Sequence, residues 1–215
     1  MTSTEVSAGC WPCRRRFGGG ADGYLRGMSD RDAVSLLVDQ HRQIADLFRR
    51  TLDSNGARRR RNFVRLRKLI SVHETAEEML IHPRLRWVDQ EGDILARART
   101  EEEEQLKTAL ADLDKLDGDD PEFTRRLEAL RALVLAHNGA EETDEFPVLH
   151  RALDAKQRRR LRRRIATVER IAPTRPHPGL TLGGENVLGG GLAMVVDRTR
   201  DGLAGLMGLV HRAPG

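Results

Sequence analysis

The chain has 215 residues, 33% of them charged and only 4% aromatic, with a formal charge of +4. That length accommodates one medium domain with tails, and the abundance of Leu, Ala, Arg and Glu favours helices over sheets. No run approaches the roughly eighteen apolar residues of a membrane span, and the first residues lack the pattern of a secretory signal, so a cytoplasmic protein without a membrane partner is expected.

Residues 1–28 read as a disordered N-terminal extension, rich in Gly and Arg and without periodicity. Cys10 and Cys13 are the two cysteines, so disulfides are not expected to hold the fold. Zinc would need a second pair, and thioredoxin-like chemistry would need a following βαβ pattern. Ser29-Asp30-Arg31-Asp32 resembles a helix-capping sequence, which makes Met28 a candidate start.

A first helix is predicted over about residues 30–53, with Val34, Leu37, Val38, His41, Ile44, Ala45 and Phe48 on one stripe. Asn55-Gly56 ends it. A second covers about 57–82, its face formed by Phe63, Leu66, Ile70, His73, Glu77 and Leu80, and Pro83 closes or kinks it. Gly92-Asp93 opens a third, to about residue 116, with Leu95, Ala98, Leu106, Ala109, Leu110 and Leu113 inward. Asp120-Pro121-Glu122 is a strong start signal for the fourth. That helix turns Phe123, Leu127, Leu130, Val134, His137 and Glu141 inward and loosens near Gly139 and Pro147.

Four such helices on short loops predict an all-α, antiparallel up-down four-helix bundle over residues 29–152. An extra basic helix over 153–172 and a Gly/Pro-rich tail over 173–215 follow, the latter with the pattern of a short amphipathic helix at 192–210. The basic runs at 14–16, 58–61 and 158–164 read as solvated helix faces or ends. Only 158–164 is dense enough to meet an acidic partner, and nucleic acid is not expected. A nucleic-acid binder would also leave the polar stripe residues unexplained.

Those residues carry the chemistry. His73 and Glu77 are four apart, as are His137 and Glu141, so each pair shares one helix face. With His41 they fall where the stripes otherwise place Leu, Val, Ile and Phe. Burying an unpaired carboxylate costs several kcal/mol. A pair of metal ions resolves the whole set, with imidazoles as terminal ligands and carboxylates bridging. His82, His150, His177 and His211 have no partner at metal spacing and read as structural.

The chain resembles the hemerythrin-like family, the HHE cation-binding domains, over about residues 30–150. The resemblance rests on Gln40-His41-Arg42, on His73, Glu77 and Glu78 running to Pro83, and on His137, Glu141 and Glu142 running to Phe146-Pro147. It departs in helix 3, where the family's His precedes an apolar series. Setting that series on Leu106, Ala109, Leu110 and Leu113 places Glu103 at the His position. Helical phase favours Glu102, and a solvated acidic run over 101–104 supplying neither is a third reading.

The resemblance implies two non-heme iron ions, one on His41 and His73, the other on His137 and Glu103, bridged by Glu77 and Glu141. It makes Glu74, Glu78 and Glu142 outer-shell or surface groups. It also implies reaction with a small oxidant, namely peroxide, nitric oxide or dioxygen, with catalase-like peroxide removal first. A non-catalytic iron-binding or oxygen- or redox-sensing module is the alternative. A carboxylate replacing imidazole stabilises the ferric state and disfavours reversible dioxygen carriage.

Overall fold

A computed structural model describes residues 32–180 and Asp197, and all its regular structure is helical. The elements are α1 (Ala33–Leu52), α2 (Gly56–Leu80), the single turn α3 (His82–Leu85), α4 (Gln90–Leu113), α5 (Pro121–Ala140), α6 (Phe146–Ala152) and α7 (Ala155–Ile171). A π-helical turn, Glu141–Glu145, joins α5 to α6. The extension with Cys10, Cys13 and Met28, and the 192–210 pattern apart from Asp197, lie outside the described residues. Among the described residues, no helix is long and apolar enough to cross a membrane.

Local chemistry sets the helix starts. Asp32 caps α1 by accepting from Ser35 N at 3.0 Å, while Ser35 Oγ accepts from Asp32 N, a reciprocal capping box. The helix therefore opens at Ala33 rather than at residue 30. Asp89 caps α4 through Gly92 N at 2.8 Å, three residues ahead of the start expected at Gly92-Asp93. Gly92 matters instead for close packing. A Cβ there would lie 2.3 Å from Leu85 O, so only glycine lets α4 pass α3 this closely. Asp120 and Pro121 open α5 as expected, and Asp154 caps α7 with Gln157.

The core falls into two apolar clusters. One gathers Val34, Leu37, Val38, Ala76, Leu80, Leu85, Phe146, Leu161 and Ile165. The other gathers Ile44, Phe48, Phe63, Leu66, Ile70, Leu106, Phe123, Leu130 and Val134. On α1 the switch from one cluster to the other occurs between Val38 and Ile44, with His41 between them. On α4 it occurs between Ala96 and Leu106, with Glu103 between them. A polar layer thus crosses the bundle between two apolar ends.

The basic helix α7 is part of this core, since Leu161, Ile165 and Val168 are buried in the first cluster. It packs on α1 and α2, and this surrounds the C-terminal half of α2, where every residue from Ile70 to Glu78 is buried. Nor does the tail leave the bundle at residue 173. Gly179 N donates to Glu104 (2.6 Å), and Arg175 Nη1 reaches Asp114 (2.7 Å). Asp197 accepts from the backbone N–H groups of Thr174 and Arg175 at 3.0 and 2.8 Å.

Both oxygens of Asp114 also accept from Arg67 Nη1, at 2.7 and 2.9 Å, and Arg67 is among the largest fully buried side chains. Removing one partner of such a pair leaves a charge stranded in low dielectric. Asp114→Ala should therefore destabilise the protein by about 3 kcal/mol, read as a lower urea midpoint by far-UV circular dichroism; an unchanged midpoint would show that Arg67 finds another acceptor.

Candidate metal centre

The layer holds four imidazoles, of His41, His73, His82 and His137, and five carboxylates, of Glu74, Glu77, Glu103, Glu141 and Glu145, none more than 4% exposed. Both oxygens of all five carboxylates lack a hydrogen-bond partner among the described residues. Burial without a hydrogen bond is costly for a neutral polar group and more so for an ion. These side chains face one another across short gaps instead.

His41 Nε2 lies 3.1 Å from His73 Nε2 and 3.2 Å from Glu141 Oε2. His73 Nε2 lies 3.3 Å from Glu77 Oε2. His137 Nε2 lies 3.2 Å from Glu141 Oε1 and 3.5 Å from Glu74 Oε2. Charge-assisted imidazole–carboxylate bonds are shorter, about 2.7–2.9 Å. Two ligand atoms each about 2.1 Å from one ion at near-octahedral or tetrahedral angles stand roughly 3.0–3.4 Å apart. The spacings match shared ligation better than bonding between the side chains.

The far side of each of three rings is anchored. His41 Nδ1 is 2.8 Å from Glu142 Oε1, and His137 Nδ1 is 2.9 Å from Glu102 Oε2. His73 Nδ1 is 2.9 Å from Gln40 Oε1, and Gln40 Nε2 donates in turn to Glu169 of α7 at 2.5 Å. An acceptor on Nδ1 holds a proton there and turns Nε2 inward, where it can ligate an ion once any proton of its own has left, the arrangement typical of metal-binding histidines.

Two groupings of donor atoms emerge. His41, His73, Glu77 and Glu141 form one, and Glu74, Glu77, Glu103 and His137 the other. The six side chains His41, His73, Glu77, Glu103, His137 and Glu141 are thus brought together, with Glu77 common to both groupings. Glu103 points into the layer, whereas Glu102 stands at its rim on His137 Nδ1. Glu142 orients His41, and Glu78 pairs with Lys107.

Three donors in the layer differ from what the sequence pattern predicts. Glu74 counts as an outer-shell or surface group only if its side of α2 meets solvent, but α4 and the segment after α7 cover it. Glu145 continues the row His137, Glu141, Glu145 at intervals of four, a signal present in the sequence, and the π turn keeps it inside. His82, expected to be structural, sits past the break at Ile81–Pro83, where helical phase no longer predicts direction, and the turn α3 swings it inward.

Electrostatics in the layer oppose themselves. Burial works against a proton on His41, but the Glu141 and Glu142 carboxylates outweigh it and lift the imidazole to about 9. Burial carries His73 down to about 4. Burial, together with neighbouring carboxylates, pushes Glu77, Glu103 and Glu145 well above the usual carboxylate range. Without a cation the layer limits its negative charge by retaining protons.

Crevices reach the layer from two sides. One is lined by Ile70, Glu74, Leu106 and Leu110 and covered by Pro173 and Pro176. The other is lined by Glu102, Leu106, Leu133 and His137. Both walls are largely apolar, although Glu78, Lys107 and Arg175 also border the first.

An antiparallel helical bundle with imidazoles and carboxylates converging in mid-core defines a metal-binding bundle protein. The family model for the hemerythrin HHE cation binding domain matches residues 32–149, and the chain belongs to that family. The fold is similar to the crystal structure of a hemerythrin HHE cation binding domain-containing protein from Mycobacterium kansasii. That match has a TM-score of 0.58 and 20% identity, covering 65% of this chain and 85% of the other. The chain is also 24% identical over 165 residues to a protein named DNA nickase from Nostoc sp. (strain PCC 7120 / SAG 25.82 / UTEX 2576). The match takes in 73% of this chain but 46% of that protein, less than half its length.

Two outcomes are expected for cation uptake. Because His41, Glu77, Glu103 and His137 hold protons that ligation must displace, loading should release protons, and affinity should rise with pH up to about 9. Calorimetry in buffers of different ionisation enthalpy reads the proton count, and uptake without proton release would contradict the scheme. Gln40→Ala or Glu102→Ala should weaken cation affinity by about 10–100-fold, measured by competition with a chromophoric chelator.

Proposed function

We propose that this cation-binding domain is a non-heme di-iron centre that reacts with a small oxidant, peroxide first. The observation that carries this reading is the set of buried carboxylates without hydrogen bonds, facing imidazoles whose Nε2 atoms are held ready. A set rich in oxygen with imidazole nitrogen suits iron or manganese better than a thiolate-seeking ion. His41, His73, Glu77 and Glu141 would hold one iron; His137, Glu103, Glu74 and Glu77 would hold the other.

Bound iron would supply one-electron redox chemistry, through which two peroxides become one dioxygen and two waters. The chain's own contribution is positional. Glu142, Gln40 and Glu102 fix the three rings, and the apolar clusters above and below keep bulk water out. The two crevices admit a small neutral oxidant such as peroxide, nitric oxide or dioxygen. Glu103 adds anionic charge that favours the oxidised metal, which argues for consuming an oxidant over carrying dioxygen reversibly.

The alternative is an iron-binding or redox-sensing module without turnover. The nickase name of the Nostoc protein points to phosphodiester cleavage, but donors this deeply buried cannot meet a DNA backbone unless the bundle opens. The exposed arginines of α7 lie on the helix's outer face, away from the layer.

Iron-loaded protein should contain two tightly held irons per chain as a coupled pair without a ferric EPR signal. With excess peroxide it should evolve dioxygen over many turnovers, followed by an oxygen electrode, and His137→Ala should abolish this. Consumption that stops at one equivalent per centre would leave the sensing module in place of the enzyme.

A further inference from the structure

His82 and Glu145 are not needed by either of the two ion positions. Both are buried, His82 on the turn after the α2 break and Glu145 on the π turn, and both ring nitrogens and both carboxylate oxygens lack a hydrogen bond among the described residues. His82 Nε2 lies 3.3 Å from Glu103 Oε1 and 3.8 Å from Glu145 Oε1. His82, Glu141 and Glu145 present donor atoms that all fall within 4.8 Å of one another.

An ion pair is the simplest alternative account of this contact. At 3.3 and 3.8 Å, however, both contacts are wider than the roughly 2.7–2.9 Å of a charge-assisted hydrogen bond. Arg99 turns its Nη1 toward Glu102 at 2.7 Å instead.

We propose that His82 and Glu145, with Glu103 and Glu141 as shared carboxylates, form a third position for a divalent cation beside the other two. It rests on the two-ion reading for those shared ligands. The donors, one imidazole and carboxylate oxygens, suit Fe²⁺, Mn²⁺ or Zn²⁺. His82 differs from the other rings in one respect: its Nδ1 has no acceptor among the described residues. Acceptors of that kind strengthen metal binding by about 10–100-fold, so the third ion should be held that much more weakly and leave first.

The test uses the full-length protein, stripped of metal and titrated with Zn²⁺, with bound ions counted by native mass spectrometry. Wild type should bind three per chain, one of them removed first by a competing chelator. His82→Gln and Glu145→Gln, made separately and checked for unchanged helix content, should each bind two. Anomalous diffraction from Zn²⁺-loaded wild-type crystals should show a peak beside His82 and Glu145, a readout independent of variant folding. Two ions in wild type and variants alike would overturn the third position and leave the two-ion centre standing. Two in wild type falling to one would also overturn it, assigning His82 and Glu145 to the pair itself. Three in every protein would place the extra ion elsewhere. No binding in wild type would defeat both readings.

Discussion

The organisation of this protein depends on the desolvation of carboxylates. Glu74, Glu77, Glu103, Glu141 and Glu145 are shut into one dry layer without a hydrogen bond among them, an arrangement that water-free protein tolerates only if protons or cations compensate it. The two apolar clusters do opposite work, stabilising the bundle while excluding the solvent that would otherwise satisfy those oxygens. Stability and chemistry are therefore opposed within one cross-section. Packed aliphatic residues in place of the layer would suit the fold better, and its presence reflects its role.

The helices that build the layer are placed by short-range signals, which explains why much of the fold is legible in the sequence. Asp120-Pro121 and the apolar stripes of α1 and α5 need no tertiary information. The repeated His-x-x-x-Glu also shows directly, because two polar residues in an apolar stripe conflict with their surroundings. What does not show depends on neighbours. Glu74 sits on what looks like the outer face of α2, and only the packing of α4 and of the segment after α7 makes that face internal. His82 lies beyond a proline break, where the chain's direction is set by contacts. The capping residues Asp32 and Asp89 lie only a few positions from the expected helix starts, since several acids close together offer equivalent caps.

The Glu103 position shows how one substitution changes a site without changing a fold. An acid takes the place that the family resemblance assigns to imidazole, and the helix accepts it because the layer already pools charge among four helices. Glu102, one residue earlier, turns outward by a third of a turn and grips a ring from behind. Adjacent glutamates in one acidic run therefore do unlike work, and the difference is only about 100° of helical rotation.

The three anchored rings are not anchored alike. His41 and His137 face carboxylates across Nδ1, whereas His73 faces the neutral amide of Gln40, which is itself held by Glu169. A carboxylate draws its imidazole toward imidazolate and makes the opposite nitrogen a stronger electron donor; an amide does so far less. The rings of His41 and His73, which share one donor grouping, are therefore electronically unequal. Such built-in asymmetry also reaches past the four-helix core: through Gln40, Glu169 of α7 stands at the far end of a hydrogen-bonded chain that ends on the ring of His73.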